Sequence, residues 1–463
     1  MSFRPPSANR STKRSAQFAW FVVVVGLLSA VALAVYGLWR GFGHDTHAEW
    51  LRLADELKKN GEPLYLADVK PAAVPDEENF FAAEVFAGLA GDAPRDPLLR
   101  LAAEPGQGLS VAELLATATK GGGASLDAIA ARMQQAGLVK PTTDFLLAGD
   151  RVRAGMRKLG LDFGPLAAAA DRPAARFPID YDQPFPRLPH LRYLEALGDW
   201  LAIRAVAELS TGDGEAASLD LLLIGRLADA IAGEPFVASQ RTRRLLEGLF
   251  AGCVRVGIGW GAWSDEQLAR FGEAFEKARL LTDLGWALRG ARAQLNSAIN
   301  QALSGKKPAA SEALQDWLGP DLVSLDMRTL RTRQVALNRA VQDFLDALGK
   351  PDGVAAAALI PANAASLPAT AQERFKTLAN EARVAAQLQT YLAQAQIACA
   401  LERYHLQRGS YPDQLDALVP DFLAAVPLDP MTAKPLTYEP GKASGYTITG
   451  AGWTDGRPWA WTR

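Results

Sequence analysis

The sequence predicts a mainly α protein with three parts. These are an N-terminal transmembrane helix, an α-helical bundle or short solenoid body, and a small C-terminal α+β domain built from a long helix plus a three-stranded antiparallel sheet. Three observations predict it. Ala16–Trp39 is a run of 24 residues without a charge. From Leu191 to about Lys350, apolar residues recur at three- and four-residue steps. After Gly409-Ser410 that spacing gives way to short runs separated by Pro and Gly turns.

Composition narrows the classes further. At 463 residues and 49% hydrophobic, the chain is long enough for two or three domains and a sizeable core. The near balance of 49 Lys+Arg against 51 Asp+Glu excludes a disordered polyelectrolyte, and two cysteines exclude a disulfide scaffold.

Residues 1–15 form a basic tail and 16–39 the expected anchor. As a helix the anchor is roughly 36 Å long, enough to cross a ~30 Å hydrocarbon core. Arg4, Arg10, Lys13 and Arg14 precede it with no acidic residue, a bias that places the N-terminus in the cytoplasm and the rest across the membrane. Trp20, Tyr36 and Trp39 stand near its ends, where amphipathic rings favour the headgroup layer. The lipid bilayer is therefore the first expected partner, through Ala16–Trp39. A signal peptide cleaved after Ala32-Leu33-Ala34 is the competing reading, and the apolar run continuing to Trp39 favours the uncleaved anchor. Because the tail is basic within a chain of net charge −2, the remainder is more acidic than the whole. It lacks the basic footprint of a nucleic-acid binder, so no nucleic-acid partner is expected.

Residues 40–189 read as short helices and Pro-rich straps. Thr46 with Glu49 fits a capping box for a helix Glu49–Lys59. Prolines from Pro63 to Pro75 then favour an extended strap, with a helix starting near Asp76, where Asp76-Glu77-Glu78 suits the positive end of the macrodipole. Residues 190–350 form the bundle. Leu194, Leu197, Leu201, Ala205 and Leu209 make one stripe, Thr211–Gly214 a turn, and Glu215–Ile231 the returning helix. Ser264 with Gln267 caps a long helix towards Leu303, and Leu325–Leu348 supplies another. An Ala/Pro-rich joint spans 351–369. Within 370–463, Thr370 with Glu373 opens a helix that meets no Gly or Pro before Arg408. Leu415 and Leu418 mark a short helix, Pro427–Pro430 a turn, and Pro435–Tyr438, Tyr446–Thr449 and Trp459–Thr462 three strands.

Ala400-Leu401-Glu402-Arg403-Tyr404, then Gly409-Ser410-Tyr411-Pro412, Val419-Pro420, Asp429-Pro430, Pro435, Tyr438 and Gly445-Tyr446 follow a recognisable order. Over about Arg383 to Gly456 the chain resembles the globular part of the major pseudopilin of type II secretion, the general secretion pathway protein G type. The resemblance implies a pseudopilin-like α+β domain, a bacterial inner-membrane setting with the bulk periplasmic, and protein partners in the cell envelope. Ala16-Gln17-Phe18-Ala19-Trp20 carries neither the Gly nor the Glu of a pseudopilin leader junction, and Asp455-Gly456 is all that stands where the family has an acidic calcium loop. Fold, not filament assembly or calcium binding, is what the resemblance carries. Gly61–Leu64, Val74–Asn79 and Gly233–Gln240 also resemble recurring segments of large bacterial membrane-anchored proteins with such a C-terminal domain.

No catalytic, cofactor-binding or metal residue is singled out, and no cofactor is expected. His44 and His47 near Asp45 and Glu49 make half a metal corner, which a helix start explains better. His190 and His405 are isolated in sequence. Gly441–Gly445 has its serine misplaced for a nucleophile elbow, and Gly305-Lys306-Lys307 lacks the rest of a P-loop. Cys253 and Cys399 read as buried thiols rather than a pair. The expected role is a membrane-anchored periplasmic interaction or assembly protein beside a type II secretion or pilus-like system. An exported hydrolase acting on peptide or glycan, favoured by the 11 Trp, and a tetratricopeptide-like helical scaffold are the alternatives.

Overall fold

A computed structural model describes residues 29, 31, 46–87, 89, 115, 124–135, 138–139, 147–304, 311–319, 326–350, 361–441, 445–450 and 460–462. The helices are α1 (46–59), α2 (Ala124–Gln135), α3 (Ala148–Lys158), α4 (Gly164–Ala170), α5 (Pro189–Ser210), α6 (Gly214–Ala230), α7 (Val237–Trp260), α8 (Asp265–Lys277), α9 (Leu280–Leu303), α10 (Ser311–Leu318), α11 (Met327–Leu348) and α12 (Ala369–Arg408). Short strands β1 (Leu428–Asp429) and β2 (Lys434–Pro435) make one antiparallel pair. A second antiparallel sheet has the order β3 (Thr437–Pro440), β4 (Tyr446–Thr449), β5 (Ala460–Thr462).

The body is layered from amphipathic helices. Antiparallel α5, α6 and α7 pack on one another, α9 packs on α7 and α11, and the 40-residue α12 lies across α7, α8, α9 and α10. One apolar core runs continuously from Phe80 through Leu201, Phe250, Leu288 and Ile397 to Tyr446 and Ile448. A satellite cluster of Trp50, Leu53, Leu57 and Leu64 docks α1 on Val335 of α11. Helix ends follow the expected chemistry where the sequence supplies it. Asp213 accepts from the Ala216 amide at the start of α6, Ser264 and Gln267 cap α8 reciprocally, and α12 stops at Gly409, whose φ of +79° only glycine adopts at low cost.

The expected fold class needs correction. Among the described residues no helix is long and apolar enough to cross a membrane, because the long helices carry charges along their length: α7 holds Arg241, Arg243, Arg244, Glu247 and Arg255. The expected anchor Ala16–Trp39 lies outside the described residues except Ser29 and Val31. The long helix is not a stalk for one sheet. Its Leu392–Glu402 stretch is buried in the bundle while its first half exposes one face, and the terminal strands divide into two sheets.

Smaller expectations also change. Asp76–Glu78 starts no α-helix. It forms a turn before a 3-10 turn at Phe80–Ala82, which Asn79 caps by accepting from the Phe81 amide. Thr370 is not a cap, since α12 begins at Ala369 behind Pro368 with no side-chain cap. Leu428–Asp429, read as part of a turn, is a strand. The helix expected to run from Ser264 towards Leu303 breaks at Ala278-Arg279, where neither Gly nor Pro stands. Gln389 of α12 holds that break: its Oε1 accepts from the Leu280 amide and its Nε2 donates to the Ala278 carbonyl, both at 2.8 Å.

Candidate functional site

Two places gather polar side chains in a way that invites function. The first is the seat of the C-terminal strands on α12. Glu402 Oε1 accepts from the Tyr411 hydroxyl at 3.0 Å and the Tyr446 hydroxyl at 3.1 Å. The Tyr438 hydroxyl donates to the Pro412 carbonyl at 2.8 Å, Gln394 Nε2 to the Ile448 carbonyl at 3.0 Å, and Thr390 Oγ1 reaches Asp429 at 3.3 Å. Burial and the neighbouring Glu402 push the Tyr446 phenol well above its ordinary value, so it stays a donor. Glu402, Tyr411 and Tyr446 thus form one hydrogen-bonded platform, with the Tyr438–Pro412 and Thr390–Asp429 bonds beside it. Of the three strands expected there, β3 and β4 carry described side chains, and β3 turns Thr437, Glu439 and Pro440 outward.

The second place was not legible in the sequence. A cleft of about 440 Å³ lies between the 71–79 strap, the 172–181 segment and the end of α6. Asn79 zips the two segments together. Its Nδ2 donates to the Arg176 carbonyl, and its Oδ1 accepts from the Arg176 amide at 2.8 Å. Phe80 N donates to the Ala174 carbonyl and Ala174 N to the Glu78 carbonyl. Three guanidinium groups line the cleft. Arg226 donates to the carbonyls of Ala170, Arg172 and Ala174, Arg172 to those of Asp76 and Asn79, and Arg176 to that of Ala72. Across from them stand Asp229, Glu234 and Tyr181, with Phe177 and Ile179 as an apolar wall.

Behind that wall His190, isolated in sequence, finds a partner. Its Nε2 meets Glu234 Oε1 at 2.9 Å, its ring stacks on Phe177 at 4.0 Å, and Ser239 Oγ donates to Glu234 Oε2 at 2.5 Å. The three residue types match a hydrolytic triad, but the order does not. The carboxylate sits between serine and histidine, so the imidazole has no route to the hydroxyl as a base, and Ser239 is fully buried. The cluster braces the Gly233–Gln240 loop.

The remaining candidates fall apart. His44 lies outside the described residues, His47 is exposed, and His405 stacks on Tyr411 at 4.5 Å. Gly305–Lys307 lies outside the described residues, as do 442–444 of the Gly441–Gly445 turn. Cys253 and Cys399 are separate free thiols, both buried, and burial raises both above the usual thiol value. Among the described residues no group of three or more His, Cys, Asp or Glu is arranged to hold a metal ion.

Two buried carboxyls set a pH dependence. Glu208 is pushed up to about 8 by burial and by Asp220 beside it, which forms the ion pair with Arg204; its Oε2 has no hydrogen-bond partner among the described residues. Glu247 is pushed up to about 7 by burial, against the pull of Arg243. Both are protonated in the folded chain at a pH where the unfolded chain has released the proton. The stability these two groups contribute is therefore fully present below the ordinary carboxyl value near 4.5 and is lost as pH rises towards 8. The thermal midpoint is expected to drop between pH 5 and 9. Glu208→Gln is expected to flatten the part of that drop above pH 7, and an unchanged profile in the variant would remove Glu208 as its cause.

No protein-family profile, curated protein or solved structure matches the chain.

Proposed function

We propose that the chain is an interaction or assembly protein of the bacterial cell envelope, held at the membrane by its uncharged 16–39 stretch with its bulk in the periplasm, and that it works beside a type II secretion or pilus-like machine. The observation that carries this reading is the Glu402 platform. Its carboxylate holds the Tyr446 hydroxyl of β4 and the Tyr411 hydroxyl of the segment after α12, and the same residues carry the resemblance to the major pseudopilin. A sheet fixed in this way presents a preformed surface, and little ordering entropy is then lost when a partner binds. Pro435 and Pro440 interrupt the outer backbone, so contacts there are made by side chains rather than by an added strand. The acidic character of the chain beyond its basic tail agrees with a protein, not a nucleic-acid, partner.

Affinity purification of the full chain from crosslinked, detergent-solubilised membranes tests the proposal. The expected result is stoichiometric recovery of at least one envelope protein, lost when Tyr411 and Tyr446 are both changed to Phe. Recovery of the chain alone, or a carboxyl terminus digested only after the inner membrane is breached, would overturn it.

A further inference from the structure

We propose that the cleft lined by Arg172, Arg176 and Arg226 binds a carboxylate carried on an apolar body, the chemistry that a peptide presents at its C-terminus. The inference stands on the residues of the cleft and not on the envelope role proposed above.

Charge comes first. Among the described residues none of the three guanidinium groups forms an ion pair with a carboxylate. They are fixed instead by neutral backbone carbonyls, through Nη1 of Arg172, Nη1 of Arg176, and Nε and Nη2 of Arg226. That anchoring leaves Nε and Nη2 of Arg172 and Arg176, and Nη1 of Arg226, whose guanidinium lies over the Phe80 ring, with no acceptor among the described residues. A planar fork of N–H donors matches the two oxygens of a carboxylate. Holding the forks rigidly beforehand spares a ligand the loss of side-chain freedom.

The acids of the cleft do not cancel the forks. Both oxygens of Glu234 are occupied, one by His190 and one by Ser239. Asp229 is exposed at the rim, within electrostatic reach of Arg226 but not paired with it. Three cations against two anions leave a surplus of one positive charge. A single carboxylate balances that surplus, whereas a phosphate monoester, nearly doubly charged, exceeds it.

Shape selects the rest of the ligand. Phe177, Ile179, Ala175 and Ala230 give one wall of the cleft no polar side chain. Its volume of about 440 Å³ falls in the ~300–1,000 Å³ range typical of small-ligand sites. A carboxylate with an apolar neighbour satisfies both halves, and an isolated inorganic ion satisfies only one.

Calorimetric titration of the full chain in detergent, at fixed ionic strength, tests this with N-acetyl-Leu-Phe as the free acid, the same dipeptide as its amide, and inorganic phosphate. Saturable binding of the acid at one site per chain is expected, with the amide about tenfold or more weaker. Arg176→Gln is expected to weaken the acid by a similar factor while leaving the thermal midpoint nearly unchanged. Arg172→Gln serves as the second variant if the first does not fold. Equal binding of acid and amide, or unaltered binding of the acid in both folded variants, would overturn the site. Phosphate binding more tightly than the acid would overturn the carboxylate assignment. None of these outcomes depends on which envelope protein, if any, co-purifies.

Discussion

Changing Glu62 to alanine is expected to destabilise the fold by about 3–5 kcal/mol, the cost of leaving a buried charge without its counter-ion. Glu62 comes from the strap that follows α1, yet its carboxylate is spent on α9. Arg289 donates to it through Nε and Nη2, both at 2.8 Å, and Arg292 through Nη2. Burial alone would raise the Glu62 carboxyl, but the two guanidiniums hold it below its ordinary value, so it is ionised. Arg292 has no exposed surface at all, and among the described residues its other polar side-chain contact is Gln342 at 2.9 Å. Without Glu62 its cation is stranded beside the Asn296–Asn338–Gln334 polar ladder that joins α9 to α11. Arg289, about a third exposed, can turn to water, which sets the expected loss nearer the lower bound. Urea denaturation measures it. Replacing Glu62 and Arg292 together by Met is expected to lose less than Glu62→Ala alone, because the only charge then left without Glu62 is that of the partly exposed Arg289. A single-variant loss under about 1 kcal/mol would mean that Gln342 suffices as the partner of Arg292.

The second large effect is expected at Gly290 of α9. A Cβ built there overlaps the Pro235 carbonyl oxygen and also meets its carbonyl carbon. Backbone atoms cannot rotate aside as a side chain can. Nor is the loop free to shift: Glu234 is held by His190 and Ser239, Phe236 is buried, and Trp286 Nε1 donates to the Gly233 carbonyl at 3.0 Å. Gly290→Ala is therefore expected to cost at least the ~1–3 kcal/mol of an overpacked core, despite the better helix propensity of alanine. Gly259 of α7 is the internal control, because nothing lies within 4 Å of its Cβ position and the same substitution there is expected to be neutral or stabilising. Thermal melts of the two variants side by side read the difference, and equal midpoints would refute the close-approach explanation.

Both effects concern segments whose importance sequence reading registered without a reason. Gly61–Leu64 and Gly233–Gln240 stood out as recurring stretches. The structure supplies a physical account of each, one as the counter-ion of a buried arginine and the other as a loop wedged against a glycine. Val74–Asn79 is similar: its acids suggested a helix start, whereas its working residue is Asn79, which joins two straps. The candidate cleft had no such trace, since Arg172, Arg176 and Arg226 are 54 residues apart at their extremes and read singly as ordinary surface cations.

What the residues determine on their own is local. The stripe of α5, the Ser264 cap, the stop at Gly409 and the turn at Thr211–Gly214 each depend on neighbours within about four positions, and all of them could be read before any fold was known. Whatever required a partner far along the chain was decided by tertiary structure. The break at Ala278-Arg279 exists because Gln389, more than a hundred residues later, supplies the bonds that an unbroken helix would have made for itself. The burial of Leu392–Glu402 of α12, the pairing of His190 with Glu234 and the convergence of three guanidiniums on one cleft have the same origin. A backbone or charged group is satisfied by whichever complementary group packing brings near, and packing is a property of the whole chain.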